Sequence, residues 1–348
     1  LSNIADSLPE LYRHLLPDLF SRPIHNETKS DCNNCPMISK DCSKSLARLP
    51  LGGYHANTKC CSYQPGHVNY LVGGLLSEGK MQVGADRMRD RIKRKLGEPY
   101  GVSSPPDLRA LYESMESGNI KVNEKLRCEF YNNNGAGSCG IWYYRDAVCS
   151  MFFCKHDHGA DGKDFWAKSK EYLEFAEDQL SRYAAYRIDP NLYYRAEARL
   201  QDEELEQSYE EMWGDFAGDE ENFYRQCFQI ISALNATDFQ RIMGLEGMVL
   251  LDELEQCFRK LGPIAKANAF ILSKQTHTID LDDQTIAVSG HSNADYLSMP
   301  RKEWVALNSL SLKETSDVAV ARIQSSFGVS LSPSRLEQLQ RYRIILGR

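Results

Sequence analysis

The sequence predicts a mainly α fold with small β elements, and three observations carry that prediction. Nine of the 11 cysteines fall between Cys32 and Cys154, amid segments rich in Asn, Ser, Gly and Pro that have little helical period. From Gly162 to about Lys274 apolar residues recur at three- and four-residue spacing, the signature of amphipathic helices. Near the C-terminus, THTIDL and QTIAVS flank Asp282-Asp283 as a hairpin would. The chain therefore divides into a cysteine-rich N-terminal domain (1–160), a helical middle domain (161–274) and a C-terminal domain (275–348). In the last of these, strands are followed by three helical pieces and a closing strand, an order that suits a winged-helix-like end.

Taken in order, Leu1 to Phe20 reads as an amphipathic helix broken at Pro9 and Pro17. Residues 22–62 read as loop. The apolar run Val68 to Leu76 predicts a buried helix, with Gly73-Gly74 as packing positions, and residues 85–96 predict a basic helix. Residues 99–107 are a turn. In the helical middle, Thr237 and Asp238 offer an N-cap and Gly262-Pro263 a stop. The acidic residues at 202–221 read as a solvated face. DYLSMP predicts a further strand, followed by helices in RKEWVALNSL, SDVAVARIQSSFG and SPSRLEQLQRY and a strand in RIIL.

Bulk composition narrows the function classes. The 348 residues, 42% hydrophobic and 26% charged, suit a globular protein of two or three domains. A net charge of −7 gives no general reason to expect nucleic-acid binding. No apolar stretch reaches the length needed to span a bilayer, and Leu1 to Phe20 lacks the apolar core of a signal peptide. The expected compartment is a reducing cytoplasm, where clustered cysteines more often bind metal than form disulfides.

The candidate ligands form two groups: Cys32, Cys35, Cys42, Cys60 and Cys61, then Cys128, Cys139, Cys149 and Cys154. The two-residue gap between Cys32 and Cys35 lets two thiolates reach one metal or cluster face, whereas adjacent Cys60 and Cys61 point opposite ways in extended chain. Thiolates are soft and select zinc, copper(I) or iron–sulfur clusters. One zinc needs four ligands and two four-iron clusters need about eight. Nine cysteines therefore favour one or two [4Fe-4S] clusters, with a single zinc and several buried cysteines as the alternative.

The segment CEFYNNNGAGSCGIWYYRDAVCSMFFC (128–154) resembles the signature of the YkgJ-like family of zinc- or iron-chelating proteins. The residues that carry the resemblance are Cys128, Phe130, Gly135 or Gly137, Cys139, Ile141, Trp142, Arg145, Cys149 and Phe152 or Phe153. Cys32, Cys35, Cys60 and Cys61 resemble a stretched version of the family's upstream element. Asp146 stands where the family usually has Pro, the loop between Cys128 and Cys139 is longer, and Cys42 and Cys154 are additional. The family includes flagellin lysine N-methylases. The resemblance thus implies an iron–sulfur site, S-adenosylmethionine as a cosubstrate and a peptide or protein side chain as substrate. Ile141, Trp142, Phe152 and Phe153 would wall the sulfurs from water, Gly135 and Gly137 would turn the chain between ligands, and Arg145 would reach the cluster or its cofactor.

Further candidates are weaker. His156 and His158 follow Cys154 in what reads as an exposed loop, and His55 and His67 bracket the Cys60-Cys61 pair. The basic helix carries Arg87, Arg89, Arg91, Lys93, Arg94 and Lys95, which read as a solvated face or a site for an acidic partner or nucleic acid. Dinucleotide, P-loop, serine-hydrolase, zincin and radical S-adenosylmethionine motifs are absent. DYLSMP, WVALNSL, the helix at 317–326 and Arg343 to Leu346 resemble the small winged domains that capture peptides in peptide-maturation enzymes. An edge strand there would pair with an extended peptide.

Overall fold

A computed structural model describes residues 2–24, 57–115, 123–133, 137–153, 156–202, 207–292, 295–311 and 313–348. The described residues are mainly helical, with five small antiparallel sheets among them. It divides into two compact units. The described residues of the first lie within 2–24, 57–152 and 169–253, and those of the second within 153–168 and 254–348.

In the first unit, β1 (Ser2–Asn3) pairs with β2 (Pro23–Ile24). Between them run three 3₁₀ turns, with Pro9 and Pro17 as the residues preceding the second and third. The breaks fall where the prolines predict them, but the turns are tighter than α. β3 (His67–Val68) leads into α1 (Asn69–Ser77), eight of whose nine residues are buried. Its start is tied down by the Asn69 side chain, which donates to the Pro99 and Ser181 carbonyls at 2.9 Å each. α2 (Gln82–Lys93) is the basic helix. β4 (Gly97–Glu98) and β5 (Gly101–Val102) complete a three-stranded sheet in the order β3-β5-β4. α3 (Pro106–Glu113) follows, then the β6 (Tyr131–Asn132) and β7 (Ser138–Cys139) pair, and the single-turn α4 (Ala147–Ser150).

Long helices come next: α5 (Gly159–Ile188), α6 (Pro190–Gln201), α7 (Tyr209–Trp213), α8 (Glu220–Ser232) and α9 (Ala236–Lys260). α1 packs closely on α8, and Gly73 permits it: a Cβ there would lie 1.8 Å from the Tyr224 carbonyl oxygen. The cap of α9 is Asn235, whose Oδ1 accepts from the Thr237 and Asp238 amides at 2.9 and 3.0 Å, rather than Thr237 or Asp238 themselves.

The second unit carries β8 (Phe270–Leu272), β9 (His277–Asp280), β10 (Thr285–Ser289) and β11 (Leu297–Pro300), then α10 (Arg301–Leu307), α11 (Ser316–Phe327), α12 (Pro333–Arg341) and β12 (Ile345–Gly347). β9 and β10 form the expected hairpin, with the Asp282 carboxylate accepting from the Gln284 and Thr285 amides. β11 pairs on the other side of β10, and β12 pairs with β8. Val288, Leu307, Ile323, Leu339 and Ile344 centre a continuous apolar core.

Candidate metal centre

Five cysteines from four separate stretches of the first unit come together. Cys60 and Cys61 follow a tight turn in which the Cys61 amide donates to the Thr58 carbonyl. The Cys61 carbonyl in turn accepts from the Cys128 amide at 2.8 Å. Cys139 sits in β7, whose pairing with Tyr131 returns the chain past Cys128. Gly137 makes that return in the left-handed region (φ +78°), where a Cβ would strike the Tyr131 hydroxyl. Cys149 lies in α4, which is capped by Asp146: its Oδ1 accepts from the Cys149 amide at 2.9 Å. Asp146 is thus a helix cap. Cys32, Cys35, Cys42, Cys154, Gly135 and His55 lie outside the described residues.

The thiols feel one another electrostatically. The Cys60 and Cys61 thiols share a hydrogen bond, and Cys128 and Cys139 both act on Cys61 and on Cys149. That bond lowers the Cys60 thiol to about 7, assisted by the charges of Arg145 and Lys59. Cys61 moves the other way, raised by the same bond and by burial. Burial pushes Cys128 up to about 11 and Cys149 well above the ordinary thiol range. One thiol is thus lowered beside three that are raised. A thiophilic metal held by these cysteines would supply positive charge that favours their thiolate forms. The donor chemistry therefore fits a zinc ion or an iron–sulfur cluster. Among the described residues, no three or more His, Cys, Asp or Glu side chains already form a ready coordination shell.

Arg145 is held over the Trp142 ring, 3.6 Å from its centroid, and donates to the Trp142, Cys149 and Ser7 carbonyls. It stands beside the thiols as a fixed cation. The apolar wall differs from expectation. Ile141 is buried, but Phe152 is half exposed and Phe153 belongs to the second unit, stacked on Trp166. The buried aromatic next to Cys128 is Phe130, which meets the His67 ring edge-on.

The sequence does not reveal Gln64, Arg91 and Glu177 as supports of this site. Arg91 reads as part of a solvated basic helix, yet it is fully buried. Its Nε donates to Glu129 at 2.8 Å, and its Nη atoms donate to the Pro65 carbonyl and to Gln64 Oε1. The Gln64 amide group donates to the Leu126 and Arg127 carbonyls. Arg91 and Gln64 thus stitch the chain after Cys61 to the chain around Cys128. His67 is completely buried; neither ring nitrogen makes a hydrogen bond, and Asp146 Oδ2 lies 3.5 Å from Nδ1. Burial holds its pKa well below the ordinary value, and Arg91 adds to this. Burial likewise raises Asp146 to about 6. Behind α4, Glu177 accepts from the Ala147 amide at 2.8 Å and from the Tyr12 hydroxyl at 3.1 Å, and Tyr12 also bonds Tyr70 at 2.6 Å. Burial keeps that carboxyl protonated well above the usual range.

In the second unit, His156 and His158 are buried rather than exposed. Asp295 is the reason for His156: its Oδ2 accepts from the His156 amide at 3.1 Å and lies 3.3 Å from Nδ1 and 3.5 Å from His291 Nε2.

No helix among the described residues is long and apolar enough to cross a membrane. No family model, curated relative or solved structure matches the chain.

Proposed function

We propose that the first unit is a metal–thiolate module whose resident group is one or two [4Fe-4S] clusters, with zinc as the alternative metal. The observation that carries this reading is the convergence of Cys60, Cys61, Cys128, Cys139 and Cys149 from four stretches into one electrostatically coupled set. Cys32, Cys35, Cys42 and Cys154 bring the candidate ligands to nine, more than one zinc requires. Free thiols in this density also suit a reducing compartment such as the cytoplasm. Arg145, fixed beside Cys60, tunes the charge of the centre or meets a bound cofactor.

The resemblance of residues 128–149 to the YkgJ-like signature extends the proposal to an enzyme that modifies a peptide or protein side chain. Lysine N-methylation with S-adenosylmethionine is its specific form. The second unit supports a peptide partner: its three-stranded sheet and three helices suit a winged-helix-like end, and the edge strand β9 is largely exposed for pairing. The alternative is a non-enzymatic chelating or electron-transfer protein.

Anaerobic purification followed by iron, sulfide and zinc analysis tests the metal. About eight irons with matching sulfide per chain supports two clusters. One zinc without iron removes the iron–sulfur reading, and neither metal removes both.

A further inference from the structure

A cavity of about 310 Å³ opens beside the thiol set. Arg87, Asp90 and Arg94 of α2 line one side, and Arg127, Cys128 and Glu129 line the other. Its two acids are already matched. Glu129 takes Arg91 Nε and Arg94 Nη2, each at 2.8 Å, and Asp90 takes Arg94 Nε at 3.0 Å. Arg87 and Arg127 are left over. Arg87 gives one N–H to the Tyr131 carbonyl at 2.9 Å, and Arg127 lies 6.0 Å from the Tyr131 ring centroid. Among the described residues neither has a carboxylate within ion-pair distance. A chain of net charge −7 thus keeps a local surplus of guanidinium on the wall that also holds Cys128. Guanidinium forks match planar and tetrahedral oxyanions. The volume lies at the small end of ligand pockets, which suits a small molecule.

We propose that this cavity binds a small oxyanion-bearing molecule, a carboxylate or a phosphate, held by Arg87 and Arg127 with its far end at Cys128. The recognition stands on the arginines alone. That the ligand meets a reactive centre rests on the metal–thiolate reading.

Calorimetric titration of the full chain, prepared anaerobically, with inorganic phosphate in one arm and glutarate in the other tests the proposal. Binding of one anion at about 1:1 is expected, and the tighter arm identifies the headgroup. Arg87→Gln and Arg127→Gln should each weaken it about tenfold. Arg89→Gln, which instead loses pairs with Asp86 and Glu221, should leave it unchanged. Thermal melts confirm that the variants fold. Failure of both anions to bind below about 10 mM, or equal binding by Arg127→Gln and the parent, overturns the proposal. Metal analysis of the same samples separates the two readings: anion binding to metal-free chain keeps the pocket and sinks only the centre.

Discussion

The cysteine-bearing half of the first unit and the C-terminal half of the second are held together by different means. Residues 270–347 form hairpin, helices and closing strand around Val288, Leu307, Leu339 and Ile344, an apolar core stabilised by burial. Residues 57–150 contain two-residue strands, short turns and buried charged or polar groups: Arg91, His67, Asp146 and, from α5, Glu177. Each buried ion or unpaired ring nitrogen there costs stability rather than supplying it. On the function proposed above, thiolate–metal bonds would be a further source of order for this region. Regular periodicity thus marks the region with a continuous apolar core, and thiol clustering the region with buried polar groups.

The contrast breaks most sharply at the thiols. Cys128→Ser, or stripping the metal with a chelator, should remove on the order of 10 kcal/mol of metal-linked stability. The first unit should then lose its unfolding transition while the second keeps its own, as calorimetry or hydrogen exchange would show. Equal loss in both units would mean that the metal does not brace the first. Next come the two packing residues. Leu339→Ala should cost the second unit about 2–5 kcal/mol through a cavity. Arg91→Ala should cost the first unit about 1–3 kcal/mol, by leaving the Pro65 carbonyl without its donor and removing one of the two donors on Gln64 Oε1 and one of the two arginines on Glu129. Urea unfolding read separately in each unit checks both.

A smaller effect is expected from pH. Glu177 has a folded pKa raised by burial above its ordinary 4.5. Its favourable contribution is complete below about 4.5 and is lost as pH rises through the raised folded value. Glu177→Gln removes that titration, so stability of the first unit should fall less steeply with rising pH in the variant than in the parent. Parallel curves would show that Glu177 is not the responsible group. The smallest effect belongs to Lys95→Ala. Lys95 meets Glu210 at 2.6 Å, but both side chains are 60% exposed, so solvent screens the pair and the melting midpoint should not measurably move.

What was legible in the sequence follows the same division. The apolar run at α1, the hairpin around Asp282-Asp283, the three C-terminal helices and the Gly73 contact all follow local rules of periodicity, turn chemistry and size. The thiol set was legible by count, with Cys60, Cys61, Cys128, Cys139 and Cys149 brought together in the first unit. Their supports were not. Arg91 reads as surface because its partners Gln64, Pro65 and Glu129 are distant in sequence, and no period reveals a buried ion pair. His156 reads as exposed between Lys155 and Asp157, yet a carboxylate 139 residues away buries it. Phe152 and Phe153 read as walls of the metal centre because they adjoin Cys154, yet Phe152 is half exposed and Phe153 stacks on Trp166 in the second unit.

The central claim is that cysteine thiolates of the first unit hold a metal. X-ray absorption at the iron and zinc edges of the anaerobically purified chain measures this directly. A first shell of sulfur at about 2.3 Å is expected, reduced in occupancy by Cys61→Ser. A first shell of nitrogen and oxygen, or one unchanged in Cys61→Ser, would contradict it.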